Sequence, residues 1–309
     1  MRIVFMGSPE LAVPSLRAVS DIGQVAGVIT QPPRRKGRGQ KTALSSVALE
    51  STRLGIDPMM PDSVRTPEFL KEFSKLEPDI AVVVAYGKIL PPELLAIPRL
   101  GCINVHASLL PELRGAAPIQ WAIARGYSET GITLMQMDEG MDTGPILLQE
   151  SIPIGMEETS TALAGRLSLL GADILRKGLP ALERGELSPV AQDESRATYA
   201  PLLKKVDGWI DWSMDAAQIS NRVRGFTPWP GTHTTLRGKR LLITAAQPDD
   251  YPSPMNPGEV LETRSVGILV ACGQGALLIG SLKPEGKNQM TAGQFLTGHK
   301  LEPGDRFGG

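Results

Sequence analysis

Residues 80–87, IAVVVAYG, and 101–108, GCINVHAS, are two apolar stretches of strand length separated by an interval with three prolines. An unbroken run such as Ile80–Ala85 is the mark of a strand covered on both faces, the condition of a parallel sheet under helices. Working outward, RIVFMG (2–7) and QVAGVIT (24–30) read as two earlier strands. Residues 130–154, TGITLMQMDEGMDTGPILLQESIPI, read as two later ones around a Gly/Asp turn. Between them lie helical patterns at 14–23, opened by Pro14 and closed by Gly23, and at 43–55, 66–79 and 117–127. Residues 159–185 are helical throughout, about two helices' worth. Strands alternating with helices predict an α/β domain over 1–189 with a doubly wound, mostly parallel, Rossmann-like sheet. The texture changes after that. Residues 190–207 have little periodicity and read as a linker. From 208 to 309 one helix (215–225) is followed by short strands such as RLLITAAQ, GILVAC and GALLIGSLK between Gly/Pro turns. That is the pattern of a small C-terminal β-barrel of OB-like type.

The bulk numbers agree with an ordinary two-domain globular chain: 309 residues, 41% hydrophobic, 21% charged, net charge −1. No apolar run approaches the roughly 18 residues that span a bilayer, and the opening MRIVFMGSPE meets Pro9 and Glu10 too soon for a signal peptide. A cytoplasmic location is the expectation. Cys102 and Cys272 fall in apolar strand-like segments and read as core, with no metal-ligand spacing around them. MGSPE opens a strand–turn–helix unit, but its lone Gly7 lacks the GxGxxG spacing of a dinucleotide site, so turn structure is the expected role.

Within the apolar strand at 101–107, Asn104 and His106 are conspicuous. Side chains alternate across a strand, so the two face the same way, and in open parallel sheets ligands bind beyond the carboxyl ends of the strands. One reading is a core pair satisfied by backbone; the other is a site. The stretch MDEGMDTGPIL adds Asp138 and Asp142 on a glycine-rich turn. An aspartate before glycine is commonly only a turn former. If that loop lies beside the strand ends, Asp142 reaches the imidazole and fixes its tautomer and orientation. Asn, His and Asp together supply oxyanion donors and a proton-handling pair without a Ser or Cys nucleophile. Such a set suits direct attack by a substrate amine on a carbonyl carbon.

Charge is distributed unevenly. Residues 34–41 hold Arg34, Arg35, Lys36, Arg38 and Lys41 and no acid, with Gly37 and Gly39 loosening the segment. Residues 196–245 carry eight basic residues, including Lys204, Lys205, Arg222 and Arg224, against three aspartates. A basic run is often a solvated face; a basic barrel beside a basic loop also suits contacts to an RNA backbone.

INVHASLLPELRGAAPIQWAI followed by GITLMQMDEGMDTGPIL resembles the folate-dependent formyltransferases. Within that superfamily, MGSPELAVPSL, TQPPRRKGRGQK, VVVAYGKILP, FTPWPGT and PGDRFG are similar to methionyl-tRNA formyltransferases over essentially the whole chain. The resemblance implies formyl transfer from 10-formyltetrahydrofolate to the amino group of methionine on initiator methionyl-tRNA, with no metal. It implies Asn104, His106 and Asp142 as the catalytic set and SLLP, Ser108, Leu109, Leu110 and Pro111, as a folate-binding turn. Tyr86, Ile89, Leu90, Asp138 and Gly140 are further folate candidates by family analogy, although Ile89 and Leu90 read equally well as packing under the loop. Arg38 in GRG is the expected entry into the tRNA acceptor end, and family members are monomers. A formyltransferase acting on a small amine is the alternative, since the catalytic set touches only the formyl end. An RNA-binding protein with a degenerate enzyme domain is a third reading, against which the intact set stands.

Overall fold

Ile3, Val4, Phe5 and Met6 are fully buried in the first strand, β1 (Arg2–Gly7), and the continuous apolar run becomes a later strand with every residue buried. The computed structural model describes residues 1–36, 41–251 and 256–308. They divide into two units, one of Met1–Pro118, Glu129–Pro153 and Ala164–Pro201, the other of Ile119–Ser128, Ile154–Leu163 and Leu202–Gly309.

The strands that follow in the first unit are β2 (Gln24–Ile29), β3 (Arg34–Lys36), β4 (Lys41–Ala43), β5 (Pro58–Met59), β6 (Ile80–Val84), β7 (Cys102–His106), β8 (Glu129–Gln136) and β9 (Ile146–Pro153). Seven form one sheet in the order β5-β2-β1-β6-β7-β8-β9. Pairings from β5 to β7 are parallel, and β8 and β9 are added antiparallel. This is the expected mostly parallel, Rossmann-like sheet. Helices α1 (Val13–Ile22), α2 (Ser46–Arg53) and α3 (Pro67–Lys75) connect its parallel strands. Two have side-chain caps where the sequence supplies them: the Ser45 hydroxyl accepts from Ala48 N at 2.9 Å and the Thr66 hydroxyl from Phe69 N at 3.2 Å, with Pro67 at the first helical position. Gly7, expected in a turn, ends β1 as a packing glycine. A Cβ there would sit 2.9 Å from both the Val84 carbonyl oxygen and the Phe5 ring.

Two expectations are corrected. The basic segment read as a loop is framed by a hairpin, in which β3 pairs antiparallel with β4 through Arg34↔Ala43, Arg35↔Thr42 and Lys36↔Lys41; Arg38 itself lies outside the described residues. Residues 159–185 form not two helices but one. After the short α4 (Pro92–Leu95) and α5 (Pro118–Ala124), α6 runs over 24 residues, Ser160–Glu183, with Pro180 inside it. The buried stripe Leu167, Ile174, Leu175 and Leu179 continues up to that proline. Only three helical residues follow Pro180, so its missing N–H comes where the helix is ending anyway.

The second unit contains α7 (Ala216–Gly225), capped by the Asp215 carboxylate, and a six-stranded antiparallel sheet. Its strands are β10 (Thr232–Leu236), β11 (Lys239–Asp249), β12 (Val260–Arg264), β13 (Gly267–Ala271), β14 (Ala276–Pro284) and β15 (Met290–Thr291), in the order β10-β11-β14-β13-β12 with β15 on β14; α8 (Ala292–Gly298) follows. The two free ends of that path are joined by the C-terminal tail. Phe307 bridges Leu236 of β10 while Arg306 bridges Glu259 beside β12, and Phe307 N donates to the Gly258 carbonyl at 2.8 Å. The barrel expectation is met through a tail segment too short to read as a strand.

Candidate active site

Register places Asn104 opposite Val83 of β6 and Met135 of β8, and His106 opposite Thr133 of β8. Alternation along β7 turns both side chains to one face, as expected. His106 is buried and Asn104 half-buried. The loop carrying Asp142 leaves β8 at the amino end of β7, where Met137 N donates to the Cys102 carbonyl at 2.8 Å, because β8 runs antiparallel. It then folds back across that face rather than lying beyond the strand's carboxyl end.

The three polar side chains converge. Asn104 Nδ2 donates to Asp142 Oδ1 at 3.3 Å, and His106 Nδ1 lies 3.6 Å from the same oxygen. Asp142 Oδ2 accepts from Gly115 N at 2.8 Å. His106 Nε2 is 3.1 Å from the Leu113 carbonyl, which can only accept, so Nε2 carries a proton. Nδ1 is therefore the ring nitrogen facing Asp142, and the second Asn104 Nδ2 hydrogen is the donor not taken by it. Asp142 is held at φ 56° and Leu113 at φ 59°, left-handed conformations that cost a non-glycine residue of order 1–3 kcal/mol. Both residues touching the imidazole are thus set by the fold around them. The arrangement offers hydrogen-bond donors and a carboxylate; no group of three or more His, Cys, Asp or Glu that could hold a metal occurs among the described residues.

The SLLP turn is braced by residues that the sequence did not single out. Thr133 Oγ1 donates to the Ser108 carbonyl at 2.7 Å and accepts from Leu110 N at 3.1 Å; Gln149 Nε2 donates to the Leu110 carbonyl at 2.8 Å. The Ser108 hydroxyl donates to the Glu112 carbonyl at 2.6 Å, and the Leu110–Pro111 peptide is cis. Ser108, Leu110 and Pro111 are buried, and Leu109 alone of the four is half-buried. Tyr86 and Leu90 are core residues, whereas Ile89 is 66% exposed, so the pair Ile89 and Leu90 divides between surface and packing. The Tyr86 hydroxyl is buried without a hydrogen-bond partner and burial pushes it up to about 12. Asp138 does form a turn, accepting from Gly140 N at 3.0 Å and from the Thr143 hydroxyl at 2.8 Å. Of the two aspartates, Asp142 reaches the imidazole.

The basic candidates differ in availability. Lys204 and Lys205 are exposed on a 3-10 turn, and Arg222 lies over the Phe226 ring at 5.9 Å. Arg224 is engaged inside its own unit, donating to the Gly155 and Glu158 carbonyls at 3.1 and 3.0 Å and to Asn221 Oδ1 at 2.6 Å, and burial lowers its pKa. It lines a cavity of about 890 Å³ with Met156, Thr227 and Gln247 that contains none of the three converging residues. Arg240 lies 5.5 Å over the half-exposed Trp209 ring, an exposed aromatic–cation pair that the sequence reading passed over. His233 Nε2 donates to the Pro230 carbonyl at 3.0 Å while its buried Nδ1 has no hydrogen-bond partner, and His299 stacks on Phe295 at 4.2 Å. Trp229 is half exposed.

A formyl transferase family model matches residues 1–179, and a formyl transferase C-terminal domain model matches 202–300. The chain is 50% identical over 309 residues to a methionyl-tRNA formyltransferase of Citrifermentans bemidjiense, covering 100% of this chain and 96% of that one. It is 48% identical over 305 residues to one of Myxococcus xanthus, covering 99% and 97%. Among solved structures it shares its fold with WlaRD, a sugar 3N-formyl transferase, at TM-score 0.69 and 19% identity over 93% of this chain and 99% of that one. HypX from Aquifex aeolicus in complex with tetrahydrofolic acid matches at TM-score 0.60 and 19% identity, over 96% and 47%.

Proposed function

The chain belongs to the methionyl-tRNA formyltransferase family of formyl transferases, and from that membership we propose that it formylates the methionine amino group of initiator methionyl-tRNA, with 10-formyltetrahydrofolate as donor. The observation that carries the chemistry is the convergence of Asn104, His106 and Asp142 on one carboxylate oxygen. The donor supplies an activated one-carbon unit as co-substrate. The attacking amine nitrogen forms a bond to the formyl carbon, the bond from that carbon to the folate nitrogen breaks, and the amine's proton is passed to the leaving nitrogen. Negative charge grows meanwhile on the formyl oxygen. Asn104, through its second amide hydrogen, and His106, through Nδ1 in its doubly protonated form beside the Asp142 carboxylate, stabilise that oxygen. Asp142 orients both and serves the proton transfer, directly or through water. Loss of one such donor typically costs about 2.7–4 kcal/mol of barrier.

Leu109 and Ile89, with Gly140 and the backbone from Asp138 to Met141, form the surface against which the folate lies, and the buried Ser108, Leu110 and Pro111 shape the turn behind it. Tyr86 and Leu90 support it from the core. The methionyl-tRNA is held by the basic segment of Arg34, Arg35, Lys36, Arg38 and Lys41, with Arg38 entering the acceptor end, and by Lys204, Lys205 and Arg222 on the second unit. Residues 190–207 connect the two regions, and the protein acts as a monomer in the cytoplasm. No helix among the described residues is long and apolar enough to cross a membrane.

The test is to offer initiator methionyl-tRNA, elongator methionyl-tRNA and small amines, including amino-sugar nucleotides, with 10-formyltetrahydrofolate. Preferential formylation of the initiator is the expected outcome. Transfer to a small amine at an equal or higher kcat/KM would overturn the substrate assignment in favour of the small-amine reading.

A further inference from the structure

Gln192 makes a contact that the catalytic reading does not use. Its Nε2 donates to the Asp142 carbonyl at 2.8 Å and to the Gly144 carbonyl at 2.7 Å, on either side of Thr143. The direction of that amide is fixed from behind. Arg114, fully buried, donates to Gln192 Oε1 through Nε at 3.0 Å and Nη2 at 2.8 Å. A guanidinium has donors only, so the carbonyl end of Gln192 must face it and the NH₂ end must face the loop. Arg114 is in turn clasped by Glu194 in a two-pronged pair at 2.9 and 2.7 Å, which supplies the opposite charge that a buried arginine needs. The next residue, Gly115, donates its N–H to the Asp142 carboxylate. The backbone of Asp142 is thus gripped by Gln192 and its side chain by the residue following Arg114, at a position held in the left-handed region at φ 56°.

We propose that Gln192, oriented by Arg114, is a positioning residue for formyl transfer: it clamps the carbonyls on either side of Thr143 and so aims the Asp142 carboxylate at Asn104 and His106. The inference rests on the reading of Asp142 given above. It makes part of the weakly periodic segment after residue 190 a working piece of the catalytic apparatus rather than a tether alone.

Gln192→Glu is the informative variant, because it keeps the size of the side chain and an acceptor for Arg114 while replacing the donor that faces two carbonyls. Gln192→Ala is its companion. Single-turnover transfer to initiator methionyl-tRNA is measured for each, in the native background and in Asp142→Asn, beside KM for both substrates and the melting temperature. The expected result is a fall in kcat of about tenfold to a hundredfold with KM for both substrates unchanged, shrinking to less than about twofold once Asp142 is already altered. A native rate in both variants overturns the inference. So does a rise in KM in place of the kcat loss, or an equal loss in the two backgrounds, which would mark Gln192 as merely structural. If Asp142→Asn alone transfers at the native rate, the reading of Asp142 fails, and the inference about Gln192 falls with it.

Discussion

Gly115 shows how tightly the site is specified residue by residue. Its φ of 116° lies where side chains are rarely tolerated, a Cβ there would stand 2.8 Å from the Ala200 carbonyl oxygen, and its N–H is one of the groups holding Asp142. Gly115→Ala is therefore expected to lose about 1–3 kcal/mol of stability and, by displacing that N–H, to lower kcat more than it raises KM; urea unfolding beside steady-state formylation checks both. At this scale the sequence was informative wherever a polar residue interrupted an apolar strand. Asn104 and His106 announce themselves that way, and Asp142 by its place in a glycine-rich turn. Gln192, Thr133, Gln149 and the Leu113 carbonyl have no such signal. Their partners lie from 7 residues away, for the Leu113 carbonyl and His106, to 50, for Gln192 and Asp142, and no apolar periodicity records such contacts.

Among the elements, α2 is tied to α1 by Glu50, a largely buried carboxylate 2.7 Å from both Arg17 and Arg53. Hydrogen bonds from the two arginines hold its pKa down, from 4.5 to about 2. A group lowered on folding contributes stability that is complete above its unfolded value and lost as pH falls toward its folded value. Glu50→Gln should therefore melt below the native protein near neutrality, and the gap should narrow as pH drops from above 4.5 toward 2; thermal melts across that range decide it, and a gap independent of pH would contradict the pairing. The strand and helix types of the first unit were legible because apolar runs, prolines at helix starts and capping hydroxyls all agree with the sheet that forms. The antiparallel direction of β8, which sends the Asp142 loop back over β7, was not. Strand direction is decided by long-range pairing and not by periodicity.

Over the whole molecule, the two larger sheets among the described residues are of opposite character, a mostly parallel one carrying Asn104 and His106 and an antiparallel one whose ends the tail joins. Phe307 is 1% exposed, packs against Trp212 at 5.8 Å between ring centroids and completes the bridge to β10. Phe307→Ala is expected to cost about 3–5 kcal/mol, read as a lower denaturant midpoint in a signal from the second unit. The barrel itself was legible from its short strands between turns, whereas its closing tail, with only Arg306 and Phe307 bridged, lacks the length of a strand pattern. The central claim is that Asn104, His106 and Asp142 act together on a formyl group, and single-turnover transfer from 10-formyltetrahydrofolate to initiator methionyl-tRNA by His106→Ala and by Asp142→Asn tests it most directly. The account predicts that each variant, folded and still binding both substrates, is slowed by about a hundredfold to a thousandfold; a rate near the native one in either would remove that residue from the chemistry and break the set.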